Sequence, residues 1–517
     1  MNLPRSIATI GGMTMISRVL GFVRDILIAA VLGAGMLADV FFVAFKFPNL
    51  FRRLFAEGAF NMAFVPIFTG ILETDGKDRA RLFAGQALSL LAWTLLCFVV
   101  AIEIAMPWVM VGFAPGFVSE PVKFALAVDL ARVTFPYLLL ISLVSLMAGV
   151  LNSLGRFAAA AATPILLNLC MIGAILWLAR WMETPAHALA WGVAGAGAAQ
   201  FVWLFVHCLR AGMRLRLGRP RLTPKIKLLV RRILPAAVGA GIYQINLLVD
   251  TIIASLLPAG SISYLFYADR VNQLPLGVVG VAVGTALLPL LSRQVKAGET
   301  GAAMHSQNRA LEVSFLLALP AAAALMVIAE PIAVVLFQRG AFGVQEAKAT
   351  AAALAVYATG LPAYVLVKTL APGFFARQDT VTPVKVAAIS MIANLVLNLL
   401  LMVPFKHVGI AAATAASAWL NAGLLALILK KRGLLRTDRR LRERLPRTLA
   451  AAAGMAAVLV LGQWALAGAL SGGEAGRIAA LAALVALGLV VFGLLAQLAG
   501  AATLADFKSL LGGKKAA

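Results

Sequence analysis

Cysteine, histidine and acidic residues are all scarce in this chain, and each scarcity removes a class of explanation. The three cysteines, Cys97, Cys170 and Cys208, fall inside long apolar runs, which leaves neither a disulfide framework nor a zinc spacing. The four histidines, His187, His207, His305 and His407, are scattered and suggest no metal site. No GxxxxGK[ST] loop occurs, since Gly512-Gly513-Lys514 lacks the earlier glycine, so nothing points to an ATPase. No Ser/His/Asp or Cys/His set converges on one place, and no enzyme activity is expected. Charged residues of any kind make up only 13% of the chain, against about 25% in soluble domains.

What is present is oil. Hydrophobic residues are 62% of the 517, and the mean hydropathy is +0.95. These values describe an all-α protein that crosses a membrane many times. Apolar runs punctuated by Gly, Pro and charge predict fourteen helices, among them 7–33, 36–70, 224–257, 260–292, 383–404, 408–429, 447–469 and 477–499. Pro48 and Pro136 are expected kinks. Arg18 and Arg24 interrupt the first run where a cleavable signal would have its apolar core, so the first helix is expected to be retained.

The net charge of +24 would suggest nucleic acid in a soluble protein. Here the cations alternate between loops. With the N-terminus placed inside, 31 of the 45 Lys and Arg fall in inner segments and 6 in outer ones. That asymmetry predicts an even number of spans with both termini cytoplasmic, and no nucleic-acid partner.

The chain also repeats itself. Residues 23–35, VRDILIAAVLGAG, align with 248–260, LVDTIIASLLPAG, at an offset of 225, pairing Asp25 with Asp250 and Gly35 with Gly260. Apolar composition alone does not place a costly carboxylate twice. Six helices per copy leave both copies on the same side, a parallel repeat. The expected organisation is a lobe over 1–222, a second over 223–432, and two additional helices with a tail over 433–517.

Ionisable groups inside spans normally face a water-filled cavity or a partner. Arg18, Arg24, Asp25, Asp39, Lys46, Arg52, Arg53 and Glu57 lie in the first two runs, and Asp269 and Arg270 in the eighth. Arg18 and Asp25 are seven apart and share a helical face; Asp39, Lys46 and Arg53 step by sevens along another. Several arginines held by acids suit a diphosphate, because the guanidinium fork donates two hydrogen bonds and keeps its proton. A second set, Asp250, Asn394, Asn398 and Thr414, offers oxygens to a hard cation such as Na⁺; interhelical hydrogen bonding by Asn and Thr, common in membranes, is the more ordinary reading.

Four segments then carry a family likeness: MTMISRVLGFVRD (13–25), ADVFFVAFKFPNLFRRLFAEGAFNMAFVP (38–66), YADRVNQLPLG (267–277) and PGFFARQDTVTPVK (372–385). They resemble the MurJ (MviN) family of lipid II flippases, within the multidrug/oligosaccharidyl-lipid/polysaccharide exporter superfamily. The resemblance implies a bacterial inner-membrane protein that moves undecaprenyl-diphosphate-linked peptidoglycan precursor from the cytoplasmic to the periplasmic leaflet by alternating access. It implies that Arg18, Arg24, Asp25 and Arg270 line a central cationic cavity, that Asp39, Arg52, Arg53 and Glu57 belong to its cytoplasm-facing part, and that the last two helices hold the lipid tail. Some members resemble this chain around a sodium site, but Asn398 stands where they carry a carboxylate. A monomer is expected, with the cell-wall synthesis machinery as a candidate partner. The alternatives are a flippase for another undecaprenyl-linked glycan and a cation-coupled drug antiporter of the same superfamily.

Overall fold

The structure is a computed structural model that describes residues 3–52 and 60–502. Arg53 and Glu57, two of the expected site residues, lie outside the described residues. All regular secondary structure among the described residues is helical. The helices are α1 (Leu3–Leu32), α2 (Met36–Phe51), α3 (Asn61–Thr74), α4 (Gly76–Phe113), α5 (Pro121–Thr134), α6 (Tyr137–Ser153), α7 (Phe157–Ala161), α8 (Thr163–Leu176) and α9 (Pro185–Arg210). They continue as α10 (Pro224–Ser255), α11 (Ser261–Lys296), α12 (Thr300–Val327), α13 (Ala329–Phe337), α14 (Val344–Phe375), α15 (Val381–Lys431), α16 (Arg439–Ala465), α17 (Ala467–Ser471) and α18 (Glu474–Leu498).

Nine helical stretches among the described residues are long and apolar enough to cross a membrane. One of them, α15, holds two legs about Lys406, whose φ of 49° and ψ of −131° break the helix just after Pro404. The remaining expected spans correspond to α1, α2 with α3, α10 and α11, an arrangement consistent with fourteen crossings. Pro48 lies inside α2 three residues before its end, and Pro136 sits between α5 and α6, where the proline ring blocks a continuous hydrogen-bond ladder.

The helices divide into enclosed and outward-looking ones. The stretch 121–153 is 72% buried over its most apolar window, whereas α18 is 22% buried. On α4, Trp93, Leu96, Val100, Ile104, Trp108 and Val111 form an exposed stripe at steps of three and four. In a membrane protein that stripe faces lipid.

Two compact units are present. The first comprises Met1–Ser263 with Arg339–Phe342. Here α2 packs on α5, α1 on α8, and α9 on both α6 and α8. Its aromatic centre is Phe47, stacked on Phe135 at 4.8 Å and edge-on to Phe113 at 4.9 Å. Gly192 lies against Ala174 and Gly197 against Tyr137, the small-residue contact that draws membrane helices together.

The second unit comprises Tyr264–Gln338 with Gly343–Ala517. In it α14 packs on α12 and α15, and α16 packs on α12 and α18. Leu366, Leu370, Phe374, Leu425 and Leu429 belong to its buried centre. The ends of α15 are tied together: the Asp379 carboxylate accepts from the Thr382 N–H and hydroxyl at the start and from Arg432 at 2.6 Å at the end. The start of α16 is riveted to α12. Glu312, only 9% exposed, receives Arg309, Arg440 and Arg444, while Asp438 caps α16 through the Leu441 N–H and also receives Arg309.

Candidate functional site

α1 carries the first charged cluster. Arg24 and Asp25 are 4% and 2% exposed, and the Arg24 guanidinium grips the Asp25 carboxylate through Nη2 at 2.7 Å and Nε at 3.0 Å. Arg24 Nη1 donates to Asn168 Oδ1 at 2.9 Å, and Asn168 Nδ2 donates back to the Ser17 carbonyl at 2.9 Å. Gly21 leaves room for Asn168 beside α1. A guanidinium so placed is satisfied from within the fold. Arg18, in contrast, stands among exposed residues of α1 that include Met15 and Val19. The separation from Arg18 to Arg24 along the axis is about 9 Å. Asp25 therefore orients Arg24 rather than Arg18.

α2 corrects one expectation. Asp39 lies in its first turn, and Arg52 just beyond its last, about 20 Å away along the helix. A shared stripe does not mean a shared position along the helix, so Asp39 and Arg52 do not meet. Asp39 is 1% exposed and holds the start of α11: Oδ2 accepts the Gly260 N–H at 2.6 Å, and Oδ1 accepts the Ser263 N–H at 2.9 Å and its hydroxyl at 2.6 Å. An aspartate on first-turn amides also complements the helix dipole. At the other end Arg52 is half-buried and donates to Asn49 Oδ1 at 3.0 Å, and Lys46 is half-buried between them.

The Asp39 end of the first unit holds a seam of main chain. The Ala341 N–H donates to the Ala30 carbonyl at 2.8 Å. Gly33 and Gly340 both have positive φ, and a Cβ on either would collide with the facing backbone of Ala341 or Ala30. Gly116 likewise lies on Ser255, whose hydroxyl accepts its N–H at 3.2 Å. Beside this seam, Lys123 is 1% exposed, pairs with Glu120 at 3.2 Å and lies 4.5 Å from the Phe117 ring centroid. It also acts electrostatically on Asp39. Nothing in the sequence marks Lys123 as enclosed, because the turn that brings Phe117 against it leaves no periodic signal.

In the second unit, Asp269 and Arg270 are half-buried on α11. Asp269 accepts from Gln273, and the Arg270 guanidinium lies 5.4 Å from the Phe266 ring centroid. Of the oxygen-bearing set, Asn394 and Asn398 are buried and bond each other at 3.1 Å, and the Thr414 hydroxyl donates to the Ile410 carbonyl of its own helix. Asp250, half-buried on α10, belongs to the first unit. No group of three or more His, Cys, Asp or Glu side chains suited to a metal is found among the described residues.

Comparison with known proteins places this chain in a family. Residues 28–474 match the family model described as lipid II flippase MurJ. The chain is 48% identical over 465 residues to a probable lipid II flippase MurJ of Rhizobium meliloti (strain 1021), covering 89% of this chain and 86% of that protein. It is 38% identical to the lipid II flippase MurJ of Burkholderia cenocepacia, covering 84% and 85%. Among solved structures, a lipid II flippase MurJ in an inward closed conformation matches with a TM-score of 0.79 at 22% identity, covering 97% of this chain and 99% of that one. An inward-facing multidrug resistance MATE family transporter matches with a TM-score of 0.66 at 14% identity, covering 83% and 98%. Both likenesses are of fold.

Proposed function

This chain belongs to the lipid II flippase MurJ family, and from that premise we propose how its own residues carry the polar head of an undecaprenyl-diphosphate-linked peptidoglycan precursor across the membrane. The protein is a lipid II flippase and a multi-pass protein of the inner membrane. In this reading both termini are cytoplasmic, the cargo moves from the cytoplasmic to the periplasmic leaflet, and no bond of the substrate is made or broken.

The observation that carries the residue-level reading is the contrast on α1. Arg24 is locked to Asp25 and Asn168, while Arg18 stands exposed beyond them. Arg18 is the guanidinium offered to the diphosphate; Arg24 with Asp25 positions the helix that offers it. Arg52 and Arg270 extend the cationic lining. A polar head surrounded by such groups never meets hydrocarbon, where each unsatisfied polar group costs several kcal/mol.

Alternating access requires the end held by Asp39 to open. Opening breaks three hydrogen bonds to a carboxylate, each worth about 1.5–3 kcal/mol net of the exchange with water. Such a latch biases the closed state, and releasing it takes a drive of several kcal/mol. A membrane potential of about 100 mV supplies roughly 2.3 kcal/mol per charge moved. Sodium fits the residues poorly. The set Asp250, Asn394, Asn398 and Thr414 holds one carboxylate, and its two amides already bond each other. We take the working unit as a monomer, with association to the cell-wall synthesis machinery as part of the proposal.

The deciding experiment is complementation of a strain depleted of its lipid II flippase. The wild-type chain restores growth and lipid II export, and Arg18→Ala does not, at equal membrane levels. Failure of the wild-type chain at normal levels would reject the assignment, and full rescue by Arg18→Ala would remove Arg18 from the site.

A further inference from the structure

The connection from α9 to α10, residues 211–223, is not a slack loop. It runs extended along the first half of α4. The Gly218 N–H donates to Ser89 Oγ at 2.9 Å, the Trp93 indole N–H donates to the Gly218 carbonyl at 3.1 Å, and the Thr223 hydroxyl meets Gln86 Oε1 at 3.2 Å. Gly85 lets the Arg216 backbone come close to the helix. Met213 and Leu215 are buried, and at alternate positions Arg214 and Arg216 point outward, followed by exposed Arg219 and Arg221. Alternate residues of an extended chain stand on opposite faces.

This strap lacks counter-charge. No acidic residue occurs between Glu183 and Asp250. Of the nine cations from Arg210 to Arg232, Lys225 pairs with Asp75 at 2.5 Å, and no carboxylate among the described residues pairs with Arg214, Arg216, Arg219 or Arg221. Exposed apolar side chains are interleaved with them: Leu217 at 62% and Leu222 at 61%. Trp93, hydrogen-bonded to the strap, also begins the lipid-facing stripe of α4.

We propose that the strap is a docking surface for the phosphate headgroups of anionic phospholipids, held at the depth where α4 enters the bilayer. Arginine forks match phosphate oxygens, and leucine and tryptophan beside them suit the interface between headgroup and acyl chain. An acidic protein would use the arginines and leave the leucines without purpose. The inference adds to the flippase reading and depends only on its orientation, which turns the strap toward the cytoplasmic leaflet.

The test uses the purified full-length chain and native mass spectrometry, titrating phosphatidylglycerol or phosphatidylcholine in mixed micelles without any lipid II. Wild type binds phosphatidylglycerol in preference to phosphatidylcholine. Replacing all four residues (Arg214→Gln, Arg216→Gln, Arg219→Gln, Arg221→Gln) weakens phosphatidylglycerol binding by at least about tenfold, since each surface cation contributes roughly fivefold. The matching four-lysine variant keeps most of the affinity, and Arg436→Gln with Arg439→Gln leaves it unchanged. Unchanged binding in the glutamine variant overturns the proposal. So does competition by inorganic pyrophosphate as effective as phosphatidylglycerol, which would mark a diphosphate site, or full displacement by polyglutamate, which would mark a protein surface. A glutamine variant that loses phosphatidylglycerol yet complements the depleted strain supports the strap and leaves the transport reading untouched.

Discussion

The two basic connections of this chain, 210–232 and 430–447, each hold nine cations, and the fold treats them in opposite ways. In the second, Arg432, Arg439, Arg440 and Arg444 reach the carboxylates of Asp379, Glu443 and Glu312, and Arg447 turns to the Gly500 carbonyl. In the first, only Lys225 has a carboxylate partner among the described residues. Equal charge thus serves two ends: one connection fastens helices together, and the other faces outward. The same division appears on α1, where Arg24 is enclosed and Arg18 open. Partnership, more than charge, separates cations that build the fold from cations left exposed.

The contrast is broken most severely at Glu312. Glu312→Ala leaves Arg309, Arg440 and Arg444 without their shared acid, and removing one partner of a buried ion cluster costs about 3–5 kcal/mol. Thermal unfolding in detergent should show a large fall in midpoint. Arg24→Ala takes the guanidinium away from Asp25, which is 2% exposed, so roughly 3 kcal/mol of stability and lipid II export should be lost together. If Arg24→Ala unfolds like wild type, Arg24 is not a structural cation.

A pH series sharpens the comparison further. Hydrogen bonds from the Thr382 hydroxyl, Arg432 and the Thr382 N–H hold the Asp379 carboxyl down at about 2, below the usual value of about 4. A depressed carboxylate stabilises the fold above its unfolded value and ceases to do so as pH falls through the folded one. The advantage of wild type over Asp379→Asn should be complete at neutral pH, shrink from about pH 4, and vanish near pH 2. Arg18→Ala gives the smallest stability change, within about 0.5 kcal/mol, while abolishing export. Measuring both quantities on one preparation separates the open cation from the enclosed one.

Much of this was legible in the sequence, and the gaps have physical causes. Apolar run length and proline placement located the helices, because backbone groups in a bilayer must bond within a helix. The costly intramembrane charges drew attention to α1, α2 and α11. Periodicity, however, reports the face of a helix and not who reaches whom. It put Arg18 on one face with Asp25, whereas the long Arg24 side chain turns onto its immediate neighbour. It joined Asp39 to Arg53 by sevens, although Asp39 sits at the far end of α2 and its partners, Gly260 and Ser263, come from more than two hundred residues away. Asn168, a single amide in an apolar run, gave no pattern at all.

The seam at Gly33 and Gly340 has a consequence of its own. Where peptide planes touch without side chains between them, closure has a thickness but no chemistry. Reagents, pH and salt find nothing there to act on. A single methyl group would act as a wedge: alanine at either glycine should force the Ala30 and Ala341 backbones apart, with no charged or hydrogen-bonding side chain altered.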